Sequence, residues 1–327
     1  MALATTTQLA HHSLTRALQA EATRGGGFGF LGAAFTAPDQ LREDLASLRK
    51  TYPDLGDKPL PIGVGLIAWL LDADEVEGKA KIDAILDSNV TAFWLAFGDD
   101  LYRWIQYARN SPAAARSQHK PLIFVQVQST EQALIAANVW KVDVIIAQGV
   151  EAGGHGGGHA PSTFTLVSEM HPLAPVVLAA GGLANGTQAA AYLTLGAAGV
   201  VLGTRFTLTP ECPWPPAVQK PVLLAANSHS TARTSATDVA MGLDGWPKGI
   251  NARAVKNRLY EDFKVGLPVN LLKDRYEKGQ ETGDVDYAVI FAGLGVTLMH
   301  EIKPTAEVME ELHAEIVNAL QKSQHLL

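Results

Sequence analysis

The sequence predicts an α/β protein with the (β/α)8 architecture of a TIM barrel. Short apolar runs alternate with amphipathic stretches along residues 28–206, and this alternation is typical of β-α-β units with a parallel sheet. The runs are apolar on both faces, as expected of strands that helices cover on both sides. The length of 327 residues suits a single barrel domain.

The apolar runs are predicted as strands, and they lie at residues 28–34, 60–66, 90–97, 122–127, 142–147, 175–180 and 200–206. The amphipathic segments between them are predicted as helices at residues 38–51, 74–88, 99–109, 130–139, 163–171 and 186–195. Asp39, Asp74 and Thr187 stand where N-caps or first-turn residues are expected.

These runs supply seven strands, whereas a closed barrel of this type needs eight. The eighth would have to precede Gly25, but residues 1–24 have the pattern of a helix. We therefore expect a (β/α)8-type barrel in which either the first strand is missing and the sheet is open, or another segment fills the gap. Absence of the first strand would leave the strands at 28–34 and 200–206 with unpaired edges.

After residue 210 the strand-helix alternation ends. Residues 211–302, called the lid segment below, begin with a breaker-rich stretch and are predicted to be mainly helical. Residues 304–325 form a clean amphipathic helix that starts at Pro304. We therefore predict that residues 1–210 and 303–327 build the barrel and that the lid segment covers its site.

The composition excludes several kinds of partner. Lys and Arg total 26 against 33 Asp and Glu, a net charge of −7, and no basic run occurs, so nucleic acid is not expected. No apolar stretch reaches the ~18 residues of a membrane span. No basic region precedes an apolar segment near residue 1, so a cytoplasmic protein is expected. The single Cys212 excludes a disulfide framework.

A glycine-rich loop at residues 149–158 carries the candidate catalytic residue. It directly follows the predicted strand 142–147 and so lies at the carboxyl end of a barrel strand, where active-site loops are found. His155 has glycines on both sides, which lets a flat ligand lie against the loop, and histidine can move a proton near neutral pH. The alternative is a flexible surface loop with an incidental histidine.

Two further turns predict a phosphate site. Gly181 and Gly182 end the strand 175–180, and Gly203-Thr204 lies in the run 200–206. Loops after the last two strands of such barrels commonly bind phosphate through backbone N–H groups. Gly181-Gly182 and Gly203-Thr204 are called the phosphate loops below. The alternative is a pair of tight turns without a ligand.

Three other sequence features do not indicate a ligand site or a catalytic group. Residues 27–32 match G-x-G-x-x-G, but they follow a helix and lie within a strand, which favours close backbone packing over dinucleotide binding. His155 and His159 are four residues apart, yet the glycines between them disfavour a helix and no third ligand is evident, so no metal is expected. Cys212 has no evident histidine partner, so we expect no thiol nucleophile.

The chain resembles the nitronate monooxygenase family, also called 2-nitropropane dioxygenases. The residues that carry the resemblance are 147–155 (AQGVEAGGH), 180–184 (AGGLA) and 202–211 (LGTRFTLTPE), together with 26–30 (GGFGF), 61–65 (PIGVG), Arg233-Thr234 and Ala292-Gly293. The similarity spans nearly the whole chain.

The resemblance implies a flavoprotein with non-covalently bound FMN. By position, Gly181, Gly182, Gly203 and Thr204 would hold the FMN phosphate. Residues Gly153 and Gly154 would run along the flavin, and Gln126 at the end of the fifth strand would face its ring. The resemblance makes His155 the catalytic base or the donor that positions the nitronate.

Two departures from the family pattern stand out. Many members carry asparagine where this chain has Gly65, so a side-chain contact to the flavin would be replaced by backbone. The family also begins with a strand that ends in Pro-Met-Ala and lines the flavin, whereas this chain starts at Met1-Ala2. Both departures affect the flavin site.

The implied activity is FMN-dependent oxidation of alkyl nitronates or nitroalkanes by O2, which gives a carbonyl compound and nitrite. One alternative is an NAD(P)H-dependent FMN reductase that acts on quinones or an enoyl thioester. Another is a non-catalytic relative that the missing strand has disabled. The expected partners are therefore a small nitro compound and O2, and a homo-oligomer is left open.

Overall fold

Eight parallel strands close into a barrel in a computed structural model that describes residues 2–7, 15–174 and 176–324. The strands of the described residues are β1 Ala2–Thr7, β2 Phe28–Gly32, β3 Leu60–Ile67, β4 Val90–Ala96, β5 Leu122–Val127, β6 Val144–Gln148, β7 Gly154–Gly157, β8 Val177–Ala180, β9 Gly199–Leu202, β10 Thr231–Thr234 and β11 Ile250–Val255. The barrel order is β1-β2-β3-β4-β5-β6-β8-β9, and β9 pairs with β1. The predicted (β/α)8 fold is confirmed.

Of the two alternatives for the first strand, an open sheet without it is wrong, because residues 2–7 fill the gap. Strand β1 pairs in parallel with β2, where Thr5 lies opposite Gly29, and with β9, where Thr5 lies opposite Leu202. The sequence pattern suggested helix for this segment, but the edges of β2 and β9 offer backbone donors and acceptors on both sides. An extended segment satisfies both edges, and this tertiary demand outweighs local pattern.

Within the described residues, helices follow the barrel strands, and further helices lie in the lid segment. They are α1 Thr15–Arg24, α2 Pro38–Lys50, α3 Ala68–Ala73, α4 Glu75–Asp87, α5 Leu101–Asn110, α6 Pro112–Arg116, α7 Thr130–Asn138, α8 Thr163–Met170, α9 Gly186–Thr194, α10 Thr204–Thr207, α11 Lys220–Ala225, α12 Ala236–Met241, α13 Arg258–Lys264, α14 Val269–Thr282 and α15 Thr305–Ser323. Asp74 caps α4 by accepting a hydrogen bond from the Glu77 N–H at 3.0 Å. Asp39 lies in the first turn of α2.

Some predicted boundaries fall partly on residues outside the described part of the chain. Residue 175 was predicted to open the strand that the structure describes as Val177–Ala180. The C-terminal helix was predicted to reach residue 325, which also lies outside that part, and α15 ends at Ser323. Within the described residues, no helix combines the length and the apolar character needed to cross a bilayer.

The barrel interior is filled by aromatic rings. Phe30 is 1 % exposed, and its ring makes edge contacts with Trp94 and Phe124 at centroid distances of 5.0 and 5.1 Å. Gly63 lies opposite Phe30 on the neighbouring strand, and a Cβ there would come within 2.1 Å of the Phe30 ring. The absence of a side chain at residue 63 therefore makes room for the central ring.

A small antiparallel sheet lies beside the barrel in the order β10-β11-β7. Strand β7 belongs to the glycine-rich loop, and His155 pairs with Ala252 of β11. The lid segment thus contributes strands β10 and β11 as well as helices α11 to α14. Through this sheet it attaches directly to the loop that carries the candidate catalytic residue. The division between barrel and lid stays a prediction.

Substitution of Gly63 by alanine should destabilise the protein, because the new methyl group would overlap the enclosed Phe30 ring. We expect the free energy of unfolding to fall by about 1–3 kcal/mol, as for other overpacked cores. Gly65→Ala is a matched control, since a Cβ there would meet nothing nearer than the Leu31 carbonyl oxygen at 3.9 Å. Urea denaturation of the two variants measures both effects, and equal stability would contradict this packing.

Candidate active site

A pocket opens at the carboxyl ends of the barrel strands. Its volume is about 860 Å³ when the solvent at its mouth is included. The residues predicted to bind the cofactor all line it, namely Gln126, Gly153, Gly154, Gly181, Gly182, Gly203 and Thr204. The structure therefore gathers residues from four separate loops and strands around one space.

The phosphate loops present backbone to this pocket. Gly181 and Gly182 have φ angles of +111° and +74°, a region that side-chain-bearing residues rarely adopt. Among the described residues, their N–H groups have no acceptor. On the other side of the pocket, the Thr204 hydroxyl accepts a hydrogen bond from the Gly293 N–H at 3.0 Å. Free backbone donors of this kind are suited to an anionic group.

The pocket wall depends on close contact between backbones. A Cβ on Gly153 would lie 2.4 Å from the Gly293 nitrogen, and a Cβ on Gly295 would lie 2.3 Å from the Gly182 carbonyl oxygen. The Leu294 N–H also donates to the Glu151 carbonyl at 3.0 Å. Residues 293–295 of the lid segment are thus packed against the glycine-rich loop and against one phosphate loop.

Two buried glutamines join the ends of three strands. Gln126 is 5 % exposed, and its amide nitrogen donates to Oε1 of Gln148 at 2.9 Å. The amide nitrogen of Gln148 donates in turn to the His155 carbonyl oxygen at 3.1 Å. This chain of bonds fixes the Gln126 carboxamide at the pocket wall. Gln148 was not predicted, although it ends β6 just as Gln126 lies near the end of β5.

Arg233 of β10 fixes the glycine-rich loop through hydrogen bonds. Its guanidinium donates to five backbone carbonyls, those of Val150, Ala152, Gly154, Gly156 and Asn251, at distances of 2.6 to 3.4 Å. Burial, with Arg253 nearby, lowers the pKa of Arg233 to about 10. The side chain therefore remains charged at neutral pH, and the carbonyls of the glycine-rich loop converge on its guanidinium.

Arg253 adds a second positive charge under the same loop. It is 9 % exposed and donates through Nη2 to the Val150 carbonyl at 3.1 Å, while burial lowers its pKa. Glu151 is the carboxylate that opposes both arginines, and it also accepts hydrogen bonds from Thr163. Two guanidinium groups against one carboxylate favour negative charge in a ligand beside this loop.

His155 is not among the residues that line the pocket, but its ring contacts Phe291, which is one of them. The ring is 3 % exposed, stacks on Trp246 at a centroid distance of 3.5 Å, and meets the edge of Phe291 at 5.6 Å. Its Nε2 lies 2.7 Å from Oδ1 of Asp238 on α12. The structure therefore brings the candidate base to the pocket's side and encloses it with lid residues.

Sequence reasoning missed Asp238 and Trp246. They lie 83 and 91 residues from His155 along the chain, and no spacing signal connects them with a glycine-rich loop. Trp94 was also missed, since its run appeared as an ordinary strand. It lines the pocket, is 5 % exposed, and its Nε1 has no partner among the described residues.

Cys212 is a buried thiol whose surroundings disfavour the thiolate. Burial raises the pKa of the Cys212 thiol to about 11, and Sγ donates to the Trp214 carbonyl at 2.9 Å, so the thiolate is scarce at neutral pH. In the part of the chain that the structure describes, no group of three His, Cys, Asp or Glu side chains is arranged to hold a metal ion.

Comparison with known proteins agrees with this geometry. A family model described as nitronate monooxygenase matches residues 12–315. A nitronate monooxygenase of Metarhizium robertsii is 31 % identical over 312 residues, which cover 88 % of this chain and 83 % of the relative.

Solved structures share the fold. A nitroalkane oxidase from Streptomyces ansochromogenes superposes with a TM-score of 0.76 at 25 % identity, covering 98 % of this chain and 96 % of that one. FabK from Thermotoga maritima superposes with a TM-score of 0.78 at 23 % identity, covering 99 % of this chain and 95 % of its own. The latter similarity concerns the fold alone.

Replacement of Arg233 by methionine should destabilise the protein, because it leaves the loop carbonyls without their buried donor. We expect the free energy of unfolding to fall by about 2–4 kcal/mol. Arg116→Ala is the control, since Arg116 is 61 % exposed and pairs only with Asp87 on the surface, a contact worth at most ~1 kcal/mol. If the denaturation midpoint of Arg233→Met equals that of the control, Arg233 does not stabilise the glycine-rich loop as described.

Proposed function

Since this chain belongs to the nitronate monooxygenase family, we propose that it is an FMN-dependent enzyme that oxidises alkyl nitronates with O2 to a carbonyl compound and nitrite. The family makes the chain an oxidoreductase with a small-molecule substrate. One observation carries the finer proposal. The seven residues assigned to FMN from the sequence line a single pocket, although they are spread over 79 positions, from residue 126 to residue 204.

The chemistry of the pocket is compatible with FMN. The free N–H groups of Gly181 and Gly182 would hold the phosphate together with Gly203 and Thr204. A Cβ on Gly182 would meet the Glu151 side chain at 2.8 Å, so these loops offer backbone where a side chain would intrude. Trp94 also lines the pocket, and its N–H, which has no partner among the described residues, would be a donor for a carbonyl-bearing ring.

The ring site would be formed by backbone on one side and by a polar side chain on another. Gly153 and Gly154 would run along the flavin, and Gln126 would face its ring. When bound, FMN supplies the acceptor that takes electrons from the nitronate and passes them to O2. The arginines beneath the glycine-rich loop support a negatively charged substrate or flavin.

His155 is the proposed catalytic residue. With a neutral nitroalkane it would act as the base that removes the α-proton, and with a nitronate it would donate a hydrogen bond that positions the anion. Trp214 and Phe291 from the lid segment line the pocket and would exclude water from the reacting groups.

Further expectations go with this function. The proposed partners are a small nitro compound and O2, with neither nucleic acid nor membrane involved. A cytoplasmic location, a lid formed by residues 211–302 and a homo-oligomer as one alternative are retained as predictions. The non-catalytic alternative loses its physical basis, because β1 occupies the position of the strand that was thought to be missing.

The competing function is an NAD(P)H-dependent FMN reductase on the same barrel, and anaerobic mixing of the purified holoenzyme separates the two. We expect an alkyl nitronate to bleach the visible flavin absorbance within the time of a turnover, because the nitronate is already a carbanion equivalent. NADH and NADPH should leave the spectrum unchanged. Bleaching by a reduced nicotinamide but not by the nitronate would reject the proposed function and support the reductase.

A further inference from the structure

The buried carboxylate of Asp238 contacts the candidate base from the lid segment. We propose that Asp238 is the positioning residue of His155. It holds the imidazole with its proton on Nε2 and leaves Nδ1 as the atom that takes the α-proton of a neutral nitroalkane. This inference rests on the proposed function and deepens it by naming the residue that orients the proposed base.

The hydrogen bond between the two residues determines the tautomer. Nε2 of His155 and Oδ1 of Asp238 are 2.7 Å apart, and their side chains are 3 % and 8 % exposed. A carboxylate offers only acceptors, so the proton between these atoms belongs to Nε2. A neutral imidazole carries one N–H, and its lone pair is therefore on Nδ1.

Aromatic contacts fix the orientation of the ring. Trp246 stacks on one face with an interplanar angle of 10°, and Phe291 packs against His155 at 65°. Nδ1 has no hydrogen-bond partner among the described residues. The ring is thus held at Nε2 and over one face, and within the described part of the chain only Nδ1 is left without a partner.

The charge balance of the pair favours a role in proton uptake. Within the described residues, the Asp238 carboxylate has no hydrogen-bond or ion-pair partner except His155. A buried carboxylate beside a neutral imidazole has no opposite charge to offset its own. Compensation is complete only when His155 becomes cationic. The carboxylate therefore stabilises the state that His155 reaches by accepting a proton.

The step that this arrangement assists is a simple proton transfer. The C–H bond at the α-carbon of the nitroalkane breaks, and its proton forms a bond to Nδ1 of His155. The electron pair of that bond forms the C=N double bond of the nitronate, whose negative charge lies on the oxygens. Asp238 balances the imidazolium that results. A nitronate supplied from outside needs none of these events.

The test compares neutral nitroethane with preformed ethyl nitronate as substrates of the holoenzyme. We expect Asp238→Asn to lower kcat for nitroethane about 100-fold or more, within the range of general-base effects. The amide can donate to Nε2 and so place the proton on Nδ1. Turnover of the nitronate should change by less than about threefold, because it needs no base.

Three further variants test whether the effect comes from the base and its carboxylate partner. His155→Ala should lower kcat for nitroethane at least as strongly, because it removes the base itself, and it should also weaken nitronate turnover, because it removes the donor that positions the anion. Asp238→Glu keeps the carboxylate and should recover part of the nitroethane activity. Asp244→Asn is the matched control, since Asp244 lies six residues further along the chain and is exposed. It should retain wild-type activity with both substrates.

The outcomes distinguish failure of this inference from failure of the proposed function. Wild-type enzyme that oxidises neither substrate would reject the proposed function. Wild-type enzyme that oxidises only the nitronate, or Asp238→Asn that loses both activities equally or neither, would overturn the inference and leave that function standing. ¹⁵N NMR of histidine-labelled wild-type protein tests the tautomer without any variant. A proton on Nε2 is expected, and a proton on Nδ1 of neutral His155 would also overturn the inference.

Discussion

Close contact between glycine backbones determines the shape of the pocket. The glycine-rich loop, one phosphate loop and residues 293–295 approach so closely that a Cβ at Gly153 or Gly295 would lie within 2.4 Å of a backbone atom. This approach needs the strand ends at one rim, which requires a closed barrel, and β1 provides the closure. The pocket thus depends on long-range strand pairing as well as on local turns.

Buried charges connect the lid segment to the barrel. Arg233 donates to carbonyls of the glycine-rich loop, and Asp238, five residues later, contacts His155 on the same loop. Both arise from the short stretch at β10 and α12. Displacement of this stretch would therefore change the loop conformation and the environment of the base together. Residues of the lid segment therefore support the glycine-rich loop and contact the candidate base directly.

The sequence could predict what depends on local periodicity and on glycine. Apolar runs located the barrel strands from β2 onward, and glycines after strands identified the pocket lining, because parallel strands bring their carboxyl ends to one rim. It could not predict β1, where the need to pair two open edges outweighed a helical pattern. It also missed β7, since glycine has low strand propensity and only pairing with β11 extends that loop. Asp238 and Trp246 reach His155 through tertiary packing alone.

The central claim is that the pocket binds FMN through its phosphate, and ligand titration of the apoprotein tests it most directly. Fluorescence titration with FMN, FAD and riboflavin should give one FMN per chain, with riboflavin bound about 100-fold more weakly or worse. That ratio corresponds to the loss of two or more charge-assisted hydrogen bonds. Equal affinity for riboflavin and FMN, or no binding of either, would contradict the assignment of the phosphate loops.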